Sequence, residues 1–392
     1  MARVQDCISL LERLQGRRLS VRGSRCVIVR NRNASCRRCA EACTSRCIAL
    51  KGNELAVDPE RCIGCGTCAT VCPTGALESR EPNDRDLLKR ALEVLRDNNG
   101  AVVFACAELA RAAAGRFDPT TVATVACLGR LEESELVFLV AAGARSIRLA
   151  HGNCSSCACA PGMKTARSVC QSANNLLACW NVALRVTLAP RLPAPCRLAG
   201  KAPFDEGKRD FLFSLADEGK TAAHEAADFA LDRILSVDEG KLQRPPHVTA
   251  AGTLPTHLPR RRSLLLDSLN RLGKPCDELV ETRLWGHVVI DAERCTSCRM
   301  CAVFCPTGAL SLYEQADEQG LVHAPGLCVK CRTCESLCPH GAIGLSDEVF
   351  AVDLHAGFVE KHPLRDLSAE KGGPDAIRNS MAKLINSPYL WG

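Results

Sequence analysis

The middle of the chain alternates apolar and polar positions most clearly. "DRDLLKRALEVLRDNNG" (84–100) sets Leu88, Leu92 and Leu95 on one helical face, with Asp84 as a candidate cap and Gly100 as the stop. "AVVFAC" follows, a short apolar run that reads as a buried strand. A helix over 107–115, a strand "TVATVAC", a helix "EESELVFLVAAG", a strand "SIRLAHGNC", a helix from about 163 to 180 and a strand "ALRVTL" complete the series. Strands alternating with helices predict a small parallel sheet with right-handed crossovers over 83–190.

The pattern is weaker on both sides. "MARVQDCISLLERLQGRR" puts Val4, Ile8, Leu11 and Leu14 on one face, which predicts a helical arm over 1–20. Residues 191–282 read as a connector, with Pro-rich "APRLPAPC" and "RPPHVTAAGTLPTHLPRR" around a stretch, 206–236, of helical pattern. "RRRSLLLDSLNRLG" closes the connector as a basic amphipathic helix, and "DEGK" at 205, 217 and 238 marks helix ends. The tail, 348–392, carries no motif, only scattered apolar residues suited to docking.

Cysteine changes the picture, with 27 among 392 residues. "CIGCGTCATVCPTGAL" (62–77) returns as "CTSCRMCAVFCPTGAL" (295–310), each copy reading C-x2-C-x2-C-x3-C-P. That spacing wraps a [4Fe–4S] cluster with three thiolates and sends the fourth, before Pro, to a neighbouring cluster. Such motifs therefore work in pairs. In the second pair, Cys295, Cys298 and Cys301 are expected to join Cys338, and Cys328, Cys331 and Cys334 to join Cys305. In the first, Cys62, Cys65 and Cys68 are regular, while "CRRCAEACTSRC" has a second gap of three residues rather than two and Ile48 in place of Pro. The expected sets there are Cys36, Cys39, Cys43 and Cys72, and Cys62, Cys65, Cys68 and Cys47. A zinc site or a disulfide frame would not explain Cys-Pro crossing between sets.

Residues 21–80 and 283–347 thus resemble bacterial-type dicluster ferredoxins. The resemblance implies two modules, 21–82 and 283–347, each of two pseudosymmetric β-α-β halves, four [4Fe–4S] clusters in all, and one-electron transfer at low potential. The whole is expected to be a multidomain α+β and α/β protein. Between the modules, Cys106 ends the first predicted strand, Cys127 the second, and Cys154, Cys157 and Cys159 follow the third. Parallel topology brings such strand ends to one edge, where ligands bind; buried free thiols are the alternative. Cys127-Leu128-Gly129-Arg130, Gly143-Ala144 and the segment from Cys154 to Gly162 resemble the iron–sulfur delta subunit of methyl-viologen-reducing hydrogenase. That resemblance implies one [2Fe–2S] cluster, here with Cys106, Cys127, Cys154 and Cys157 as candidate ligands, and a hydrogenase-like partner. Leu109 stands where that family places a second cysteine, and the family's cysteine at the position of Gly152 is missing; either Cys154 or Cys159 substitutes for it, or the domain is an emptied scaffold.

Charge and motif content narrow the function. The first 40 residues hold ten Arg against Asp6 and Glu12, within a net charge of +6. No aromatic residues interleave with this arm, so a docking surface for an acidic partner, or a solvated arm, is expected rather than a nucleic-acid site. No secretory signal pattern and no apolar run of about 20 residues occurs, which predicts reduced, metal-owned thiols in the cytoplasm and no transmembrane segment. His151, His323 and His340, close to the cysteine motifs in sequence, are expected on the surface or in packing. No dinucleotide fingerprint or P-loop is present. The expected function is electron transfer for a partner oxidoreductase, without a catalytic site of its own. A reductase centred on the α/β cysteines and a cluster-based redox sensor are the alternatives.

Overall fold

The structure is a computed structural model and describes residues 18–196, 253–276, 279–315, 318–354 and 357–364. The expected arm, the helical stretch 206–236 and most of the tail lie outside them. The described residues fall into two compact units. One draws on Met1–Glu81, Leu242–Arg262 and Lys274–Gly392, the other on Pro82–Lys241 and Ser263–Gly273, as far as the described residues reach.

The first unit contains both cysteine-rich segments. In each, two strands from opposite ends of the segment pair antiparallel and close a pair of short helices between them. Leu19–Val21 pairs with Leu77–Ser79, and His287–Ile290 with Ile343–Ser346. A hairpin lies between the motifs in each case: Ile48–Lys51 with Glu54–Val57, and Leu310–Gln315 with Glu318–His323. The second hairpin gains a third strand, Glu360–Pro363. Cysteine side chains form much of both cores. Cys39, Cys47 and Cys68 are buried with Leu19, Ile48 and Leu77, and Cys305 and Cys328 with Val288, Leu310 and Leu345.

Residues from the connector help fix this unit. Arg261 donates to Ala69 O (2.5 Å) and Arg262 to Leu284 O (2.6 Å). Trp285, fully buried, donates its indole N–H to Gly326 O (3.0 Å). The Arg262 guanidinium lies 4.2 Å from the Trp285 ring centre, a cation–π contact that keeps a buried charge compensated.

The second unit is a four-stranded sheet. Ala101–Cys106 lies between Ala123–Val125 and Ser146–Ala150, and Val186–Ala189 forms the far edge, with every pairing parallel. The helices Asp84–Asp97 and Gly162–Cys179 bury their apolar faces, as the periodicity requires, while Glu133–Ala141 is buried on nearly every side, Glu133, Ser134 and Glu135 included. The first is capped by Asn83 rather than Asp84. Asn83 Oδ1 accepts the Asp86 N–H (2.9 Å), which leaves Asp84 free to pair with Arg130. Arg130 is 2% exposed and also meets Glu135 at 3.1 Å. It ties the turn after Cys127 to two helices.

Candidate metal centres

Each regular motif builds the same local structure. A left-handed residue precedes the second cysteine (Gly64, Ser297, Lys330) and another follows it (Gly66, Arg299, Arg332). This alternation curls the loop and turns its amides inward, a concave geometry suited to anionic sulfur. A short helix then begins one residue before the third cysteine: Thr67–Val71, Met300–Val303 and Thr333–Leu337. The residue after the second cysteine caps it in the left-handed region each time.

In the second segment the thiols line two cavities. One is bounded by Cys295, Cys298, Cys301 and Cys338 among apolar neighbours. The other is bounded by Cys305, Cys328, Cys331 and Cys334, and Cys301 lines it as well. The crossing cysteines accept backbone N–H groups: Leu310 N–H to Cys305 Sγ at 3.4 Å and Ala342 N–H to Cys338 Sγ at 3.2 Å. Burial pushes the thiols of Cys301 and Cys331 up to about 12, and like charge from neighbouring cysteines adds to this. Grouped thiolates in such a place need a polycation, which is what the iron of a cluster provides. Two further features fit that chemistry. His323, fully buried, lines the Cys328 cavity with neither ring nitrogen partnered. Arg30 is buried, its charge acts on Cys305 and Cys331, and its Nε and Nη2 have no partner among the described residues. Burial, with the nearby His287 and His362, holds the His323 ring down at about 3, and its ligand atom lies within 4.8 Å of those of His287 and Glu360.

In the first segment the irregular cysteines lie among the regular ones. Cys39, Cys47 and Cys68 are buried in one core, with Cys43, Cys62 and Cys72 packed against it. The sulfur of Cys43, expected with Cys36 and Cys39, lies 3.5 Å from Cys47 Sγ. Cys26, absent from the expected sets, is buried in a core against which Cys36 and Cys72 pack.

The two segments meet. Arg38 Nη2 donates to Lys330 O (2.7 Å), and the hydroxyls of Ser35 and Ser336 bond at 2.8 Å. Cys36, Cys72 and Cys331 pack on one shared core of Cys26, Val27, Ile28, Ala34 and Ala76. Lys330 is 7% exposed, with its ammonium on Thr282 O (2.5 Å) and Asp347 (2.9 Å).

In the second unit the strand ends converge as the topology requires. Cys106, Cys127, Cys154, Cys157 and Cys159 all line one cleft, with His151 and Glu108 beside them. Cys106 Sγ accepts the Gly152 N–H (3.3 Å) and Cys157 Sγ the Cys159 N–H (3.4 Å). Burial and the neighbouring Cys106 and Cys157 push the Cys154 thiol up.

Comparison with known proteins agrees with this chemistry. A family model for the 4Fe-4S binding domain matches residues 55–78, and one for the 4Fe-4S dicluster domain matches residues 294–342. The chain is 36% identical over 70 residues, 17% of its length, to NADH-quinone oxidoreductase subunit I of Acinetobacter baylyi, and covers 37% of that protein. No solved structure matches. The chain therefore carries [4Fe–4S]-binding, ferredoxin-type segments before and after, in sequence, the residues of a parallel α/β sheet, and these support a role in electron transfer. Among the described residues, no helix is long and apolar enough to cross a membrane.

Proposed function

We propose that this protein is a multi-cluster electron relay, the electron-transfer component of a separate oxidoreductase. One observation carries the reading: the cavity of Cys295, Cys298 and Cys301 also receives Cys338, and that of Cys328, Cys331 and Cys334 also receives Cys305. Those two sets would hold two [4Fe–4S] clusters. Two more belong to the first module, around Cys36, Cys39 and Cys72 and around Cys62, Cys65 and Cys68. Each bound cluster supplies a one-electron couple whose potential depends on burial, charge and hydrogen bonds to sulfur.

The chain's own residues set the relay's geometry. Arg38, Ser35, Lys330 and Ser336 pin the first module to the second. The shared core beneath Cys36, Cys72 and Cys331 keeps water from between their sites. Water exclusion and rigidity both favour transfer by limiting what must reorganise when charge moves. Similarity to an oxidoreductase subunit supports a larger assembly as the setting, and the Arg-rich first 40 residues would suit an acidic partner.

A second reading rests on the cleft of the second unit. Five cysteines at strand ends around one cavity support a further centre, a [2Fe–2S] cluster on Cys106, Cys127, Cys154 and Cys157, as the resemblance to the hydrogenase delta subunit implies. If that cleft reduced a substrate itself, the chain would be a reductase.

The test is electron accounting on anaerobically purified protein. Titration with dithionite should take up about four one-electron equivalents, or five with the additional centre, and a viologen or cytochrome acceptor should recover them. Uptake of one or two equivalents would refute the relay. Catalytic turnover of a disulfide by the protein alone would favour the reductase.

A further inference from the structure

The irregular run "NRNASCRRCAEACTSRC" (31–47) becomes regular when it is aligned by structure instead of by counting from its first cysteine. In the three regular motifs the third cysteine is the second residue of a short helix. In the irregular one that helix is Arg38–Glu41, so the third cysteine is Cys39 and the second is Cys36.

The fourth position can be checked independently. Among the regular motifs the fourth cysteine follows the third by four residues, giving Cys72, Cys305 and Cys338. Three residues later comes a left-handed residue: Gly75, Gly308 and Gly341. A hydroxyl two residues on reaches the sulfur in two of them, Thr74 to Cys72 (3.8 Å) and Thr307 to Cys305 (3.9 Å). The N–H four residues on donates to it from Ala76 (3.2 Å) and Ala342 (3.2 Å). Cys43 reproduces every one of these marks. It follows Cys39 by four, Arg46 is left-handed at φ 52°, Ser45 Oγ lies 3.8 Å from its sulfur, and the Cys47 N–H donates to it at 3.3 Å. Cys47 therefore occupies the place of Ala76 and Ala342, not of a ligand.

The first position in this register is Asn33, which cannot serve as a thiolate. The loop around Cys36 also lacks the usual curl: Arg37, in the place of Gly66, Arg299 and Arg332, has φ −123°. A thiol from elsewhere fills the vacated role. Cys26, 8% exposed, lies with Cys36 and Cys72 on one core. It stands at the start of the short helix Val27–Arg30, whose Val27 and Ile28 belong to that same core.

We infer that Cys26, Cys36, Cys39 and Cys72 hold the first cluster, that Cys43 crosses to Cys62, Cys65 and Cys68, and that Cys47 ligates no iron. The inference rests on the reading of two clusters in the first module. It also explains the missing Pro: Cys43 needs none because Arg46 and Ser45 recreate the turn.

The test compares Cys26→Ala with Cys47→Ala in the full chain, purified anaerobically. Iron, acid-labile sulfide and Mössbauer spectra are read, with circular dichroism as the check on folding. Cys47→Ala should keep the wild-type iron content. Cys26→Ala should lose one centre, up to about four irons per chain. Should Cys26→Ala misfold, Cys26→Ser preserves volume, and the double variant Cys26→Ala with Asn33→Cys restores regular spacing; the serine variant should show a weakened or three-iron centre, and the double variant should recover iron. The inference is overturned if Cys47→Ala loses a centre, or if both Cys26 variants keep the full iron and unchanged spectra. Wild-type protein that itself lacks four cubes would instead defeat the relay reading, so the two failures are distinct.

Discussion

Replacing Arg30 with Met should lower the reduction potential of one centre selectively. Arg30 belongs to the first module, on the short helix Val27–Arg30, yet its charge acts on Cys305 and Cys331 of the second. It is 5% exposed, and Nη1 holds Pro255 O (2.8 Å) and Ser24 O (3.4 Å). A fixed positive charge favours the reduced, more negative state, so its removal lowers the potential. At an effective dielectric of about 20, a unit charge about 10 Å away is worth roughly 1.7 kcal/mol, or about 70 mV for one electron. Arg30→Lys keeps the charge and should shift the potential by less than half as much. The assay is an anaerobic redox titration followed by EPR, with each centre fitted separately. One centre should move down by about 50–100 mV while the others stay within about 20 mV. A shift of all centres together would indicate loosened packing, and no shift in any would refute the electrostatic reasoning.

Three other outcomes follow from the same structure. Arg130→Met should destabilise the second unit by about 3–5 kcal/mol, because Asp84 and the fully buried Glu135 lose their shared counter-charge; adding Glu135→Leu should recover part of that loss in urea melts. Burial, reinforced by the Arg25 charge, holds His257 down at about 4. The unfolded chain binds that proton below about 6.5 and the fold does not until about 4, so stability present at neutral pH is lost as pH falls through this window. Allowing for partial exposure, the loss is about 1–2 kcal/mol, and His257→Gln should reduce the difference between urea midpoints at about pH 7.5 and 5. Cys127→Ser should remove a two-iron EPR signal and about two irons while leaving the cube signals intact; an unchanged spectrum would mean that the cleft of the second unit holds no cluster.

The sequence made some of this legible and hid the rest for physical reasons. The cysteines of the second segment were readable as a set because cluster-binding spacing fixes loop, helix and crossing residue together; their thiols line two cavities, with Cys301 in both. Convergence of Cys106, Cys127 and Cys154 followed from topology, since parallel strands put their ends on one edge. Cys26 was hidden because its role depends on a loop nine residues long, for which spacing offers no rule; the signal that could have found it was Asn33, three residues before Cys36. Helix capping misled by one residue, since Asn83 and Asp84 are both good caps and only the tertiary pull of Arg130 separates them. Burial of Arg30 and Lys330 was illegible, because long cations are ordinarily solvated and the thiols and carbonyls that hold these two are remote in sequence. Contact between the modules, through Arg38 and Lys330, likewise leaves no trace in either motif.

The central claim is that thiolates interleaved between motif halves hold four iron–sulfur cubes. The most direct measurement is metal and sulfide analysis of anaerobically purified protein. The account predicts about sixteen irons with matching sulfide per chain, or about eighteen if the second unit is loaded. Colourless protein, or protein rich in zinc and poor in iron, would contradict it.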